Sequence, residues 1–247
     1  MFAQALKDEF QAAGFTADDE TFLSGMFDRF PDVQKGFERS ASYPRAARPI
    51  LTMFNMKKTL RAGWKRIGVP EEDVQTVADH SGTCAILARV NDHDMHVSMI
   101  MMTHDMSESV VTDFTPHDPI TSSEKHRLER LGLVFALAES PVKDETLALW
   151  SEYEEQKTPA SHVASDIDKL EMLLQAQIYG RDYPQLNEKL QEFWNYVEPR
   201  LKTDWGRAFY ADLKQRHPEP HPVKVHLARP YVSPYWTTEG QHNNLDQ

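Results

Sequence analysis

A histidine and an aspartate stand side by side at the end of a strongly apolar segment, VSMIMMTHD, as His104 and Asp105. A carboxylate beside buried methionines carries a large desolvation cost unless another charge compensates it. A divalent cation bound by both side chains would compensate it, because neighbouring helical residues point about 100° apart and can still converge on one ion. The residues alone leave a structural role and a metal-binding role open for this pair.

Further side chains of the same chemical types occur at informative distances from this pair. Glu108 lies four residues after His104, on the same face of a helix, and Asp113 follows in a predicted loop. His80 begins the preceding predicted helix, and Asp168 lies within a later one. Spacing cannot show that either residue converges on His104. For Asp168 the residues alone favour a solvent-facing helical carboxylate.

Helical spacing dominates the elements that must position these residues, and the alternation typical of strands is scarce, so the sequence predicts an all-α protein. Two apolar stripes predict N-terminal helices, one through Phe2 that ends at Gly14 and one that ends before Pro31. A helix over residues 50–61 is predicted to be closed by Gly63. The main body is predicted to contain helices at 80–91, 95–109, 121–138, 144–155, 159–179, 185–201 and 204–216.

Local signals support two of these boundaries. Thr121 and Glu124 have the spacing of a capping box, and Gly180 is a predicted C-terminal stop. The tail after residue 216 is rich in proline and aromatic residues, which excludes a helix there. We therefore divide the chain into a helical extension packed on the core (1–59), a main domain (60–216) and an irregular tail (217–247).

Composition excludes several classes of protein. The 247 residues include 27 basic and 38 acidic side chains, giving a net charge of −11 that disfavours binding to a nucleic-acid polymer. Apolar stretches are far shorter than the roughly 20 residues that cross a bilayer. The charged start MFAQALKDEF does not resemble a signal peptide, and the lone Cys84 cannot form an internal disulfide. We expect a cytoplasmic protein without a membrane partner.

Four motifs follow one another along the chain: VADH at 77–80, THDMSESVVTDFTPHD at 103–118, EKHRLERLG at 124–132 and EYEEQKTPASHVASDIDKLEM at 152–172. In type and order they resemble those of the HD-domain phosphohydrolases. More narrowly, they resemble the 5′-deoxynucleotidases, which remove phosphate from deoxyribonucleoside monophosphates. The resemblance covers residues 60–216 and implies a helical bundle, a small nucleotide substrate and a homodimer.

The resemblance also implies a role for each candidate residue. The family's pattern of metal ligands falls on four positions of this sequence: His80, His104, Asp105 and Asp168. Glu108 matches the acidic residue that the family uses in catalysis, and Asp113 matches the catalytic-site residue at the edge of the substrate. In some members these two residues, with the carbonyl that Phe114 matches, hold another cation. Asp166 is left as an ordinary helical carboxylate. Two imidazoles and two carboxylates favour Mn²⁺ or Co²⁺, with Mg²⁺, Fe²⁺ or Ni²⁺ as alternatives.

Positive charge for a phosphate is expected in the segment LRAGWKRIGV, where related enzymes have a tryptophan and a basic residue. We predict that Arg66 binds phosphate and that Trp64 packs against the nucleoside. The alternative for Arg66 is a solvated surface charge, and the alternative for Trp64 is a core anchor. The simplest interpretation of Lys125 is that it forms a structural ion pair with Glu124 or Glu129. Thr112 stands where the family usually has glycine, which predicts a loop that bends differently.

The leading hypothesis is a metal-dependent phosphomonoesterase that acts on (deoxy)ribonucleoside 5′-monophosphates. One alternative is an HD-type di-iron oxygenase, because additional histidines between Asp105 and Asp168 are available for a second iron: His117, His126 and His162. Another alternative is a catalytically silent nucleotide-binding or scaffold protein. The Glu108 and Asp113 spacing favours the phosphatase over the oxygenase, and the intact ligand set argues against a silent protein.

Overall fold

The computed structural model describes residues 4–216, and the regular secondary structure of this range is helical apart from an isolated bridge between Leu60 and Thr76. The all-α prediction is confirmed, while the predictions for Phe2 and for the tail (217–247) lie outside the described residues. The first helices are α1 (Gln4–Ala12), α2 (Ala17–Arg29), α3 (Pro31–Ala41), α4 (Arg48–Met53) and α5 (Ala62–Ile67). The others are α6 (Val77–Val90), α7 (Met95–Thr103), α8 (Glu108–Val111), α9 (Ser122–Ala136), α10 (Lys143–Glu155), α11 (Pro159–Asp182), α12 (Asn187–Val197) and α13 (Asp204–Arg216). Within the described range, the helices are all too short or too polar to span a bilayer.

Capping boxes fix where several helices begin. The backbone N–H of Glu124 donates to Thr121 Oγ1 over 3.2 Å, and the N–H of Thr121 donates to the Glu124 carboxylate over 2.8 Å. This box begins α9, as the sequence predicts. The same arrangement of Thr76 with Asp79 begins α6 and places His80 in its first turn.

Two predicted helix stops are wrong. Gly180 lies inside α11, which continues to Asp182, and a Cβ atom at Gly180 would lie only 2.7 Å from Asn187 Oδ1. This glycine therefore permits close packing rather than ending the helix. Gly63 lies inside α5, which ends instead at Gly68, where a φ of +99° gives a left-handed C-cap.

Three further boundaries differ from the predictions. The helix predicted over 50–61 ends at Met53 and continues only as a 3₁₀ turn at Phe54–Lys57, before the chain becomes extended. The helix α3 was not predicted, because Pro31 resembles a stop but occupies the first turn of a new helix, where its missing N–H costs nothing. The helix predicted over 95–109 is interrupted after Thr103 and resumes as α8.

The layer that carries the metal-ligand candidates consists of α6, α7 and α11. Small and flexible apolar residues are buried where these helices meet, including Cys84, Ala88, Ile100, Met101 and Ile167. Burial of this apolar surface fixes the three helices relative to one another. It thereby brings together side chains that are far apart in the sequence.

The N-terminal helices pack against α8 and α9 through a cluster of phenylalanines. Phe10, Phe37 and Phe135 have ring centroids 5.3–5.7 Å apart. Gly36 of α3 touches the carbonyl of Val110, and a Cβ atom at this glycine would lie 1.8 Å from that oxygen. The extension thus packs directly on the short helix that begins with the predicted catalytic residue.

Asp166 is not the ordinary helical carboxylate that was predicted. Its side chain is fully buried and accepts hydrogen bonds from the backbone N–H groups of Lys202 and Thr203, both over 2.8 Å, and from Thr203 Oγ1 over 2.7 Å. Gly206 leaves room for this carboxylate, because a Cβ atom there would lie 2.3 Å from Asp166 Oδ2. The role of Asp166 is to join α11 to the start of α13.

Candidate metal centre and active-site cavity

The break between α7 and α8 orients His104 and Asp105. His104 is the C-cap of α7, and its Nδ1 donates to the carbonyl of Met101 over 2.8 Å. A carbonyl can only accept, so Nδ1 carries the proton and Nε2 offers a lone pair. That Nε2 atom is buried, lies 3.1 Å from Asp105 Oδ2 and has no hydrogen-bond partner among the described residues.

His80 approaches the same point from α6. Its Nδ1 atom lies 2.5 Å from Glu171 Oε2, and since an ionised carboxylate can only accept, this nitrogen is the donor. Its Nε2 atom faces two carboxylates, with Asp168 Oδ1 at 3.1 Å and Asp105 Oδ2 at 3.6 Å. The structure thus places Asp105 and Asp168 beside the same His80 nitrogen, and Asp105 also lies beside His104.

The chemistry of this donor set suits a bound cation. The imidazole nitrogens and the carboxylates of these residues face one another, and a cation between them would stabilise the two negative charges. Ligand atoms of His80, His104 and Asp105 all lie within 4.8 Å of one another, close enough for one ion to contact all three. Imidazole and carboxylate ligands suit a divalent transition metal. The donor set therefore fits a metal.

Two residues that were not singled out from the sequence hold these ligands in place. Glu171 accepts from Gln75 Nε2 over 2.6 Å and from Thr83 Oγ1 over 2.7 Å, in addition to its contact with His80. Tyr153 donates its hydroxyl to Asp168 Oδ2 over 2.9 Å. Outer partners of this kind fix the ring orientation and raise the basicity of a ligand. Glu171 could have been found from its position three residues after Asp168.

We predict that Glu171→Gln lowers the affinity for the metal by about 10–100-fold, the usual effect of losing an outer carboxylate partner of a metal-binding histidine. The amide keeps the size of the side chain but binds the His80 N–H less strongly. Chelator competition measures the metal dissociation constant. Glu188→Gln, at an exposed position of α12, is the matched control, and equal affinity in both variants would contradict the role of Glu171.

A cavity of about 600 Å³ opens in front of this centre. His104, Asp105 and Asp168 line it, while His80 lies behind them and is fully buried. Burial alone would raise the pKa of Asp168, but the hydrogen bond from His80 and the charge of Lys169 hold it well below its ordinary value. The volume of the cavity suits a small molecule of nucleotide size.

Glu108, the first residue of α8, lines the cavity and is 3% exposed. Its Oε2 atom is buried and has no hydrogen-bond partner in the described part of the chain. Burial and the nearby carboxylates of Asp105 and Asp113 raise the pKa of Glu108 well above its ordinary value. A carboxylate with a free oxygen and a raised pKa is suited to accept and return a proton.

The loop after α8 holds Asp113 against the neighbouring helix. Asp113 Oδ2 accepts from the backbone N–H of Ala62, at the start of α5, over 2.6 Å. The preceding residue, Thr112, has φ = 74° and ψ = 165°, a region that is essentially restricted to glycine. The loop therefore makes a glycine-type bend even though a threonine occupies the position, and it does so at a cost in strain.

We predict that Thr112→Gly stabilises the protein. Relief of the strain is worth about 1–3 kcal/mol, and the added flexibility of glycine in the unfolded chain offsets about 0.5–1 kcal/mol of it. For a chain of this length a net gain of ~1 kcal/mol raises Tm by ~2–4 °C. Thr112→Ala is the control, because it keeps the strained Cβ. A glycine variant that melts no higher than wild type would rule out the strain.

The segment LRAGWKRIGV places two arginines at the cavity, the predicted Arg66 and also Arg61. Arg61 is largely buried, and its Nη1 lies 3.0 Å from Asp105 Oδ2. Burial would lower the pKa of Arg61, but the carboxylates around it, Asp113 and Asp105 foremost, raise it well above its ordinary value. Arg66 lines the outer cavity and lies 3.5 Å from Glu192. Their order along the chain did not distinguish these two arginines.

Trp64 lies at the boundary between the core and the cavity. It is 2% exposed and lines the cavity. Its ring stacks on Phe193 with centroids 4.6 Å apart and meets Tyr179 in an edge-to-face contact with centroids 5.2 Å apart. Its indole N–H donates to Gln75 over 3.3 Å. The tryptophan therefore anchors α5 in the core and shapes the cavity wall.

The remaining predicted residues lie around the same cavity. Phe114 lines it and packs edge-on against Phe30, with ring centroids 5.1 Å apart. Lys125 pairs with Glu129 over 2.7 Å, which decides between its two candidate partners. Burial raises the pKa of Glu129 to about 7 despite this lysine.

Two imidazoles and two carboxylates lie close together beside a cavity in a helical bundle. This fold and this site are those of a metal-binding helical protein. The sequence matches the family model described as HD domain over residues 53–207, which is more than half of the chain. The protein belongs to the HD domain family.

Two curated relatives and a solved structure resemble the chain over most of their own length. A Dictyostelium discoideum protein named 5′-deoxynucleotidase HDDC2 is 35% identical over 57% of this chain and 81% of the relative. The Schizosaccharomyces pombe 5′-deoxynucleotidase hdd1 is 34% identical over 65% of this chain and 90% of that protein. A conserved hypothetical protein from Pyrococcus furiosus has a TM-score of 0.51 and 25% identity, covering 68% of this chain and 96% of its own.

Proposed function

We propose that this HD domain protein is a metal-dependent phosphohydrolase that converts nucleoside 5′-monophosphates, deoxyribonucleotides in particular, to nucleoside and phosphate. The observation that carries the proposal is the convergence of His80, His104, Asp105 and Asp168 beside a cavity that also contains Arg61 and Glu108. Relatives at 34–35% identity that are named 5′-deoxynucleotidases support the substrate class.

The four ligand residues would hold a divalent cation, for which Mn²⁺ or Co²⁺ is our first choice, with Mg²⁺, Fe²⁺ or Ni²⁺ as alternatives. When bound, such a cation lowers the pKa of a water molecule and neutralises charge that builds on phosphoryl oxygens. Glu171 and Tyr153 keep the ligand atoms oriented.

The cavity residues would then divide the hydrolysis between them. Arg61 would bind the phosphoryl oxygens, because its guanidinium is held in the cavity by Asp105. Glu108 would take a proton from the attacking water as the new P–O bond forms, and return a proton to the 5′ oxygen as the old bond breaks. The products are a nucleoside and inorganic phosphate.

The opposite end of the substrate would meet the outer part of the cavity. Asp113 would lie near the sugar, Trp64 would support the nucleoside, and Arg66 would contribute positive charge at the opening. A second cation between Glu108, Asp113 and the Phe114 carbonyl is also part of the proposal. The exposed position of Arg66 beside Glu192 gives it the weaker case for direct phosphate contact.

Phosphate release from purified, metal-replete protein tests the proposal. The panel contains the common bases as ribonucleoside and deoxyribonucleoside 5′-monophosphates, assayed with Mn²⁺, Co²⁺ and Mg²⁺ separately. We expect turnover of deoxyribonucleotides with Mn²⁺ or Co²⁺ and its loss on chelation. Absence of turnover for every nucleotide with every metal would refute the phosphohydrolase.

The alternatives are not favoured. For a di-iron oxygenase, the described residues offer metal-binding groups that both include His80, and none combines the three additional histidines. His126 pairs instead with Glu154 over 3.0 Å, and His162 bonds to the carbonyl of Gln156 over 2.8 Å. A silent scaffold has no need of four converging ligands.

The assembly and location of the protein are further parts of the proposal. We propose a cytoplasmic homodimer, with residues 1–59 as an extension of the main domain at 60–216. An exposed apolar face on α6 and α7 supports self-association, because such surfaces mark interaction sites; it contains Ile86, Val90, Met95, Met99 and Met102. Light scattering with and without Met99→Glu measures the state.

A further inference from the structure

A second groove, of about 500 Å³, adjoins the active-site cavity. Three cations line it: Lys169 from α11, and Arg200 and Lys202 from the connection between α12 and α13. Tyr153, Glu154 and Lys169 line both the groove and the cavity. In a chain with a net charge of −11, a concentration of positive charge at this place calls for an explanation.

The three cations bind neutral groups. Lys169 Nζ donates to the carbonyl and hydroxyl of Ser165, over 2.8 and 2.7 Å, and Lys202 Nζ donates to Gln156 Oε1 over 2.6 Å. The Arg200 guanidinium donates to the carbonyl of Tyr196 over 2.8 Å and lies 4.0 Å from the centre of its ring. Across residues 4–216, none of the three has a carboxylate within 4.0 Å.

Negative charge in the groove does not neutralise these cations. Glu154 is the one carboxylate among the described lining residues, and it already pairs with His126 over 3.0 Å. Burial and the charge of Lys169 hold the pKa of Lys202 below its ordinary value, against the opposing charge of Asp166. The lysines therefore repel one another, and a bound anion would relieve that repulsion.

We propose that this groove is a second phosphate-binding site, in which Arg200, Lys202 and Lys169 together bind a phosphate dianion. Planar guanidinium and flexible ammonium donors are the side chains that recognise phosphate oxygens. The site is distinct from the metal centre, since neither Arg200 nor Lys202 lines the active-site cavity. Tyr153 and Lys169 line both the groove and the cavity, so the groove could bind phosphate that leaves the cavity.

Calorimetric titration of inorganic phosphate into the full-length, metal-replete protein tests the site. We expect wild type to bind two phosphates per chain and Arg200→Gln/Lys202→Gln to bind one. Loss of two charged hydrogen bonds should weaken groove binding by more than about tenfold. Both side chains are exposed, and the backbone contact of Lys202 with Asp166 is retained, so folding should not change.

The matched control is Lys58→Gln/Arg89→Gln, which also removes one lysine and one arginine from exposed positions but leaves both cavities untouched. It should bind two phosphates. Binding of the same number of phosphates with the same affinity by wild type and Arg200→Gln/Lys202→Gln would overturn the proposal. Because calorimetry requires no turnover, this result is independent of whether the protein hydrolyses nucleotides.

Two sources of phosphate fit the groove, and a competition experiment separates them. If it receives product, inorganic phosphate should inhibit hydrolysis less strongly in Arg200→Gln/Lys202→Gln, with kcat/KM in phosphate-free buffer unchanged. If it binds the phosphate of a second nucleotide, deoxyadenosine triphosphate should displace groove phosphate at lower concentrations than phosphate displaces itself. Only the product arm rests on the proposed function, and the calorimetric comparison alone decides whether the site exists.

Discussion

Replacing Asp105 with alanine should abolish metal binding and phosphohydrolase activity together. The carboxylate lies 3.1 Å from His104 Nε2 and 3.6 Å from His80 Nε2, so its removal takes away the anionic ligand that lies beside both imidazoles. The loss of metal affinity should exceed the ~10–100-fold that follows removal of an outer partner. Metal content after dialysis and phosphate release at saturating metal measure the two effects.

Two further variants separate loss of the ligand from loss of the fold. Asp105→Asn keeps the shape of the side chain and should lose metal in the same way, since the amide is a weaker ligand. Asp28→Ala removes an exposed carboxylate of α2 and should change neither property. If Asp105→Ala is folded, fully metallated and active, Asp105 is not a ligand and the proposed centre is wrong.

The candidate metal ligands were easier to identify from the sequence than the residues that hold them in place. His104 and Asp105 stand out because they are a polar pair at the end of an intensely apolar segment. The helix is interrupted at this same pair. Asp168 needed the family resemblance, since a carboxylate at its spacing is usually exposed. Asp166 shows why: it lies two residues away on the same helix, yet it points to α13 instead of His80.

The residues around the candidate ligands are positioned by long-range contacts, which spacing along the sequence does not reveal. Arg61 rather than Arg66 meets Asp105, because the chain is extended at Leu60 and α5 begins only at Ala62. The capping signals, by contrast, are local, and both α6 and α9 begin where their threonine boxes lie. Local chemistry therefore predicts helix starts, while burial and long-range pairing decide which charges face the site.

Glu108→Gln should lower kcat by about 10²–10⁴-fold while the metal stays bound, the usual contribution of a general acid–base residue. Glu108 is not among the four converging ligands, and its buried Oε2 has no protein partner in the described range, so that oxygen is free to contact the attacking water. The amide has the same size but cannot take up a proton. Steady-state kinetics and metal content, measured on the same preparation, distinguish this result from that of Asp105→Ala.

The pH profile gives a second measure of Glu108. Burial and the neighbouring Asp105 and Asp113 raise its pKa well above the ordinary value, so the group loses its proton at a higher pH than an ordinary glutamate does. If Glu108 accepts a proton from water, kcat should rise with pH through that ionisation in wild type, and the rise should disappear in Glu108→Gln. Loss of metal from Glu108→Gln would instead make this residue a ligand of the catalytic ion. An unchanged kcat and pH profile would exclude it from proton transfer and leave the positioned water without a protein base.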